Sequence, residues 1–229
     1  QERLRVLSAD TPAQAIREYQ QLRAKAPLDD AKRYGLAIAH QQAGQHAQAL
    51  AELAPLAAAH PESLWLQIGL ATTEARSGRG AEAERRFERL LAQRPTHRAL
   101  ALSYAQVLGE RNDRAAGTRA VAVLRPLLAG ASADPLFQQV YARANEIAGD
   151  DVRAGEAWAE AAFLGGRPEQ ALVQLNNLKK RGNLDYYARS RIDARIAAIT
   201  PTVLELRRQG VRDEDATGKF GLRAGAFPR

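Results

Sequence analysis

Two stretches of this chain, 34 residues apart, say nearly the same thing. Residues 43–61 read AGQHAQALAELAPLAAAHP and residues 77–95 read SGRGAEAERRFERLLAQRP. In register, Gly44 meets Gly78, Ala49 meets Ala83, Leu53 meets Phe87 and Pro61 meets Pro95. Going back one step, Ala15, Tyr19 and Pro27 take the same places. The internal logic is that of a helical hairpin. Glycine ends one helix because it can adopt the left-handed cap conformation. A small alanine follows where two helices must approach closely, a larger residue four positions on fills the space beside the neighbour, and proline closes the unit because a helix interior does not tolerate it. One such hairpin cannot bury its apolar face alone. A row of them buries a continuous core, so the repeat itself predicts a stacked array.

Beyond Pro95 the pattern loosens. Asn112 stands where glycine is usual, and Ala83 finds its counterpart in Ala120, followed by Leu124, rather than in residue 117. That reading places about three inserted residues near Arg111–Thr118, with Pro135 displaced again. A fourth copy resumes with Tyr141, Ala142, Gly149, Ala154 and Trp158, and then Gly166 follows Gly149 by half a period, with Ala171 and Leu175 behind it. The helix around Ala154–Leu164 is therefore expected to serve as second helix of one hairpin and first of the next. A last helical pattern runs from about Leu184 to Arg208, with Pro201 expected to break or kink it. Pro55 and Pro126 fall at the same repeat position and predict a shared bend. The chain divides into residues 1–27, the end of a preceding helix plus a half repeat; 28–182, the array; 183–208, a C-terminal helix; and 209–229, a tail rich in glycine with no helical period. The fold expected is all-α, a solenoid of about ten to eleven antiparallel helices.

Composition supports this and excludes several functions. Ala, Leu, Gln, Glu and Arg, all strong helix formers, dominate, and aromatics make up only 6%. No run of 18 apolar residues is present to span a membrane. Cysteine is absent, which removes thiol catalysis, thiolate metal sites and disulfides. The chain opens at Gln1 and has no methionine, which reads as a piece of a longer gene product whose targeting segment would lie upstream. The net charge of +7 is uneven: residues 1–178 carry +1 and residues 179–229 carry +6. A nucleic-acid partner is not expected, since the repeat body is neutral and no aromatic residues interleave with the basic end. An independent enzyme is the weakest reading, because no nucleophile triad, phosphate loop or carboxylate pair stands out.

The spacing of Gly44, Ala49, Leu53 and Pro61, and of Gly78, Ala83, Phe87 and Pro95, resembles the tetratricopeptide repeat (TPR). Three segments narrow the resemblance: the opening RLRVLSAD, the LAPLAAAHP stretch with its interior proline, and GNLDYYARSRIDARI near the end. Together they look like the C-terminal TPR domain of β-barrel assembly-enhancing (BepA-type) periplasmic zinc metallopeptidases, over roughly residues 3–200. The resemblance implies a periplasmic location and a role in outer-membrane β-barrel assembly or quality control. It also implies a peptidase domain upstream that holds zinc with a HExxH helix. His40, His46, His60 and His97 are the only histidines here and none lies in HExxH. No catalytic residue and no metal ligand is therefore expected in this chain; zinc would belong to the parent protein.

By the same resemblance, the first helix of each hairpin lines a concave groove for protein or peptide ligands. It supplies Tyr34, Ile38, Gln41 and Gln42 from the first, and Trp65, Ile68, Thr72 and Arg76 from the second. The third gives Leu102, Gln106 and Glu110, and the fourth Gln139, Arg143 and Glu146. Amides and arginines suit the main chain and carboxylates of an extended peptide. Tyr34 and Trp65 fit either groove or core, and Arg76 and Arg143 either groove or an ordinary solvated face. Trp158 reads as core, and of Tyr186 and Tyr187 one reads as core and the other as exposed. Tyr187, Arg189, Arg191 and Arg195 form either a docking patch, facing the upstream peptidase domain or outer-membrane assembly components, or a solvated helix face. The alternative to a peptidase module is a stand-alone TPR adaptor of the bacterial envelope.

Overall fold

The computed structural model of the chain describes residues 2–182 and 184–211. Among these every regular element is helical, and the helices fall into two compact units, Gln1–Val107 and Leu108–Arg229. The residues of the expected tail from 212 onward lie outside the described residues.

The first unit holds α1 (Glu2–Leu7), α2 (Pro12–Lys25), α3 (Asp30–Gln42), α4 (His46–Ala59), α5 (Leu64–Arg76), α6 (Gly80–Gln93) and most of α7 (Arg98–Arg111). Each helix packs on its sequence neighbour from α2 to α6, and α1 lies against α3. Tyr19, Leu36 and Ala39 are core residues between α2 and α3, and Leu53, Ala57 and Leu70 between α4 and α5. Phe87 and Tyr104 are fully buried and stack with their ring centroids 4.8 Å apart.

The second unit holds α8 (Arg114–Leu124), a 3-10 turn (Arg125–Leu127), α9 (Leu128–Ala131), α10 (Pro135–Ala148), α11 (Asp151–Leu164), α12 (Pro168–Lys179) and α13 (Tyr186–Arg208). α8 packs on α10, α10 on α11, α11 on α12 and α12 on α13. Counting α8 and α9 as one interrupted helix, the described residues form twelve helices, slightly more than the ten to eleven expected.

The turns explain the period. Gly44, Gly78, Gly149 and Gly166 all have φ between 71° and 86°, and Asn112 has φ 54°. In every case the next helix starts two residues later, at His46, Gly80, Asp151, Pro168 and Arg114. After the four glycines the turn closes with paired backbone hydrogen bonds: the Gln45 N–H donates to the His40 carbonyl and the Gly44 N–H to that of Gln41, and so on in the other three. Asparagine substitutes for glycine because its short polar side chain tolerates the left-handed region better than other side chains. Both Asn112→Ala and Asn112→Gly lose the side chain that accepts from Arg143, and Asn112→Ala is expected to be the less stable of the two by about 1 kcal/mol. Urea unfolding of the two variants measures the difference.

This frame corrects the register of the third copy. Five residues after each turn residue stand Ala49, Ala83, Ala154, Ala171 and, in the third copy, Gly117, all buried. A Cβ at Gly117 would lie 2.5 Å from the Ala148 backbone nitrogen. Gly117, not Ala120, is thus the small residue of the close approach, and no insertion lies near Arg111–Thr118. The step from Asn112 to Gly149 is three residues longer than 34 because of the extra turn around α9.

The prolines also behave differently from expectation. Pro126 sits in the 3-10 turn that interrupts its helix, whereas α4 runs unbroken through Pro55, so the two do not share a distortion. α13 likewise continues through Pro201 for 23 residues. Its turn there is supported by Thr200, whose hydroxyl donates to the Ile196 carbonyl at 2.7 Å, and by Ile199 and Val203, both buried against α12 and α11. Tertiary burial on both sides of the proline outweighs the one backbone bond it removes.

Candidate functional site

In the first unit, α3, α5 and the first part of α7 present one residue set to a common cleft of about 220 Å3. Ile38 and Ile68 are buried at its floor, Tyr34 and Thr72 are half-buried, and Trp65 is 57% exposed. Gln41 is fixed across the cleft: its Nε2 donates to the Thr73 hydroxyl and to the Gly69 carbonyl on α5. Arg76, Ser103 and Gln106 give the cleft its polar end. Tyr34, Ile38, Gln41, Trp65, Ile68, Thr72, Arg76 and Gln106, read as groove positions from the sequence, thus come together. Gln42 is exposed and Leu102 buried, and neither lines this cleft.

A second cavity of about 470 Å3 opens beside it and shares Tyr34, Trp65 and Arg3. It is more apolar, with Ala31, Leu56 and Leu66 in its wall. At its rim the His60 Nε2 and the Asp30 carboxylate lie 2.9 Å apart, and His60 Nδ1 is 3.8 Å from Glu62. The hydrogen bond to Asp30 holds the His60 pKa above its ordinary 6.5. A raised folded-state pKa means that the stabilisation is fully present below 6.5 and is lost as pH rises through the folded-state value. An NMR titration is expected to place the His60 midpoint above 6.5, and Asp30→Asn to lower it.

Arg3 was missed by the sequence reading. RLRVLSAD was read only as the end of a helix. The 34-residue step could not have found it: Arg3 falls in register with Ala37 and Ala71, both fully buried, and only the packing of α1 on α3 brings it to the cavities.

The tetratricopeptide repeat family model matches residues 42–107. The match runs from the end of α3 through α7 to the last residue of the first unit, which includes most of the cleft. No curated protein matches the chain. The chain carries a TPR region, and its helical repeat arrangement is TPR-like.

Other groove candidates lie in the second unit. Gln139 is exposed on α10, and Arg143 donates to Glu146 at 2.9 Å and to the Asn112 side chain at 2.8 Å, so it braces the turn after α7. α11 packs on both α10 and α12, and a left-handed glycine turn stands on each side of it, Gly149 before and Gly166 after. Arg191 and Arg195, one turn apart on α13, each make a two-pronged pair with Glu156 and Glu160, one turn apart on α11, at 2.7–3.3 Å. The Arg195 guanidinium also lies 4.5 Å from the Phe163 ring centroid. These two arginines therefore hold α13 to α11. Tyr187 and Arg189 are exposed. Both Tyr186 and Tyr187 are more than 70% exposed and meet edge to face, so neither is core, contrary to expectation. Trp158 is 37% exposed, also contrary to expectation: Ala154, Ala157, Ala161 and Ala162 supply the buried positions of α11 instead. Among the described residues no three His, Asp or Glu side chains converge as metal ligands.

Proposed function

We propose that this chain is a protein–protein interaction module that docks an extended polypeptide in the cleft of its first unit. The observation that carries this is the pairing of an exposed Trp65 and a half-buried Tyr34 over the Ile38/Ile68 floor, next to amide and arginine side chains. A solvated tryptophan on a rigid helix is the kind of residue that dominates binding when covered. The parent protein, on this reading, is a periplasmic zinc metallopeptidase of the β-barrel assembly-enhancing kind. Support for that comes from the resemblance over roughly residues 3–200 and its YYARSRIDARI stretch. The polypeptides docked would then be outer-membrane β-barrel substrates or components of their assembly machinery, and Tyr187 and Arg189 would face the peptidase domain.

Trp65 and Trp158 are the only tryptophans, so Trp158→Phe leaves a single reporter in the cleft. Synthetic strands from an outer-membrane β-barrel protein are expected to shift Trp65 emission saturably, and Trp65→Ala to weaken their binding at least tenfold by calorimetry. Emission unchanged at millimolar peptide would refute the docking site. The parentage has its own test, the intact mass and zinc content of the native protein captured by an antibody to this chain. Mass well above 25 kDa with about one zinc per chain supports the peptidase; a metal-free protein near this mass leaves an adaptor.

A further inference from the structure

The two cavities of the first unit differ in chemistry but share one cation. The larger is walled by Ala31, Leu56 and Leu66; the smaller ends in Arg76, Ser103 and Gln106; Arg3 lines both. Carboxylates near Arg3 are already engaged. Glu2 accepts from the Tyr19 hydroxyl and pairs with Arg5, Glu18 pairs with Arg5, and Asp30 is bonded to His60. Among the described residues Arg3 has neither an ion-pair nor a hydrogen-bond partner. Its side chain is exposed, so a partner carboxylate reaches it without first displacing another.

Resting on the reading of the cleft as a peptide site, we propose that the bound segment carries a large apolar side chain beside a carboxylate. The apolar group enters the larger cavity against Leu56, Leu66 and Trp65, and the carboxylate meets Arg3 at the boundary between the cavities. The segment then continues along the smaller cleft past Gln41 and Gln106. An arginine fork prefers carboxylates because it can donate two parallel hydrogen bonds. The apolar wall supplies affinity that an exposed charge pair alone does not. Together the two select against segments that are only hydrophobic and segments that are only acidic.

The test uses the Trp158→Phe chain and capped heptapeptides Gly-Gly-Glu-Phe-Gly-Gly-Ser, with Glu→Gln, Glu→Lys and Phe→Ala versions, read by Trp65 emission. A further peptide, Gly-Gly-Gln-Phe with a free C-terminus, asks whether a terminal carboxylate substitutes for a side chain. The Glu–Phe peptide is expected to bind at least tenfold more tightly than the Gln–Phe peptide, and Phe→Ala to abolish binding. Arg3→Ala is expected to remove the preference for Glu, so that the Glu and Gln peptides bind alike. Arg3→Glu is expected to transfer the preference to the Lys peptide. Equal binding of Glu and Gln peptides, or a preference unmoved by Arg3→Glu, overturns the proposal while leaving the peptide site intact. No binding by any of them at millimolar concentration also overturns it, and the longer β-barrel strands then decide whether the docking site itself fails.

Discussion

Gly117→Ala is expected to destabilise the second unit by about 3 kcal/mol, near the upper end of what overpacking costs. The added methyl would sit 2.5 Å from the Ala148 nitrogen and 2.7 Å from the Ile147 carbonyl carbon. Both are backbone atoms, so no rotamer change relieves the clash; α8 and α10 must separate. Gly69→Ala on α5 is the opposing control. Its nearest neighbours would be the Leu53 methyls at 4.0 Å, and the helix gains propensity, so stability is expected to rise by about 0.5–1 kcal/mol. Urea unfolding monitored by helical circular dichroism gives both values. An unchanged midpoint for Gly117→Ala would mean that the two helices do not approach as closely as described.

Arg86→Met is expected to cost the first unit about 3 kcal/mol. Arg86 on α6 grips both oxygens of Glu74 on α5 at 2.8 and 2.9 Å, and donates to the Gln67 side chain at 3.0 Å. Gln67 in turn donates to the Ala57 carbonyl on α4, so one guanidinium links three helices. The Glu74 side chain is only 8% exposed. Removing its partner strands a buried carboxylate, which costs far more than the pair is worth against an apolar substitute. Arg86→Met with Glu74→Leu is therefore expected to recover most of the loss, a coupling of about 2 kcal/mol in a double-mutant cycle. Equal losses in the single and double variants would show that packing of the arginine stem, not the stranded charge, carries the effect.

The left-handed turns were legible where glycine marks them, because few other residues adopt φ near 80° without strain. Asn112 was noticed but not trusted, and the register of the third copy slipped with it. Residue 117 was passed over because it is not alanine, although the tightest helix contact of the second unit requires something smaller still. The interior prolines could not be ranked from sequence, since whether a helix continues past one depends on what is buried on either side. The cleft residues were readable only through the resemblance to the TPR, which implies groove positions on the first helix of each hairpin. Gln41 and Arg86 show what was not: each is fixed by a partner on another helix, and a one-dimensional period carries no information about which polar side chains meet. Trp158 stands outside the core because small alanines already fill the buried positions of α11, and the tyrosine of the 186/187 pair expected in the core is exposed like its neighbour.

The double use of α11 bears on how the second unit comes apart. In a regular array each hairpin is a separable block, and blocks can melt one by one from an end. α11 touches both α10 and α12, and Arg191 and Arg195 tie α13 to it as well. Loss of α11 would strip contacts from α10, α12 and α13 together. The stretch from α10 to α13 is therefore expected to melt as a single cooperative block, with no partly melted form at low cost.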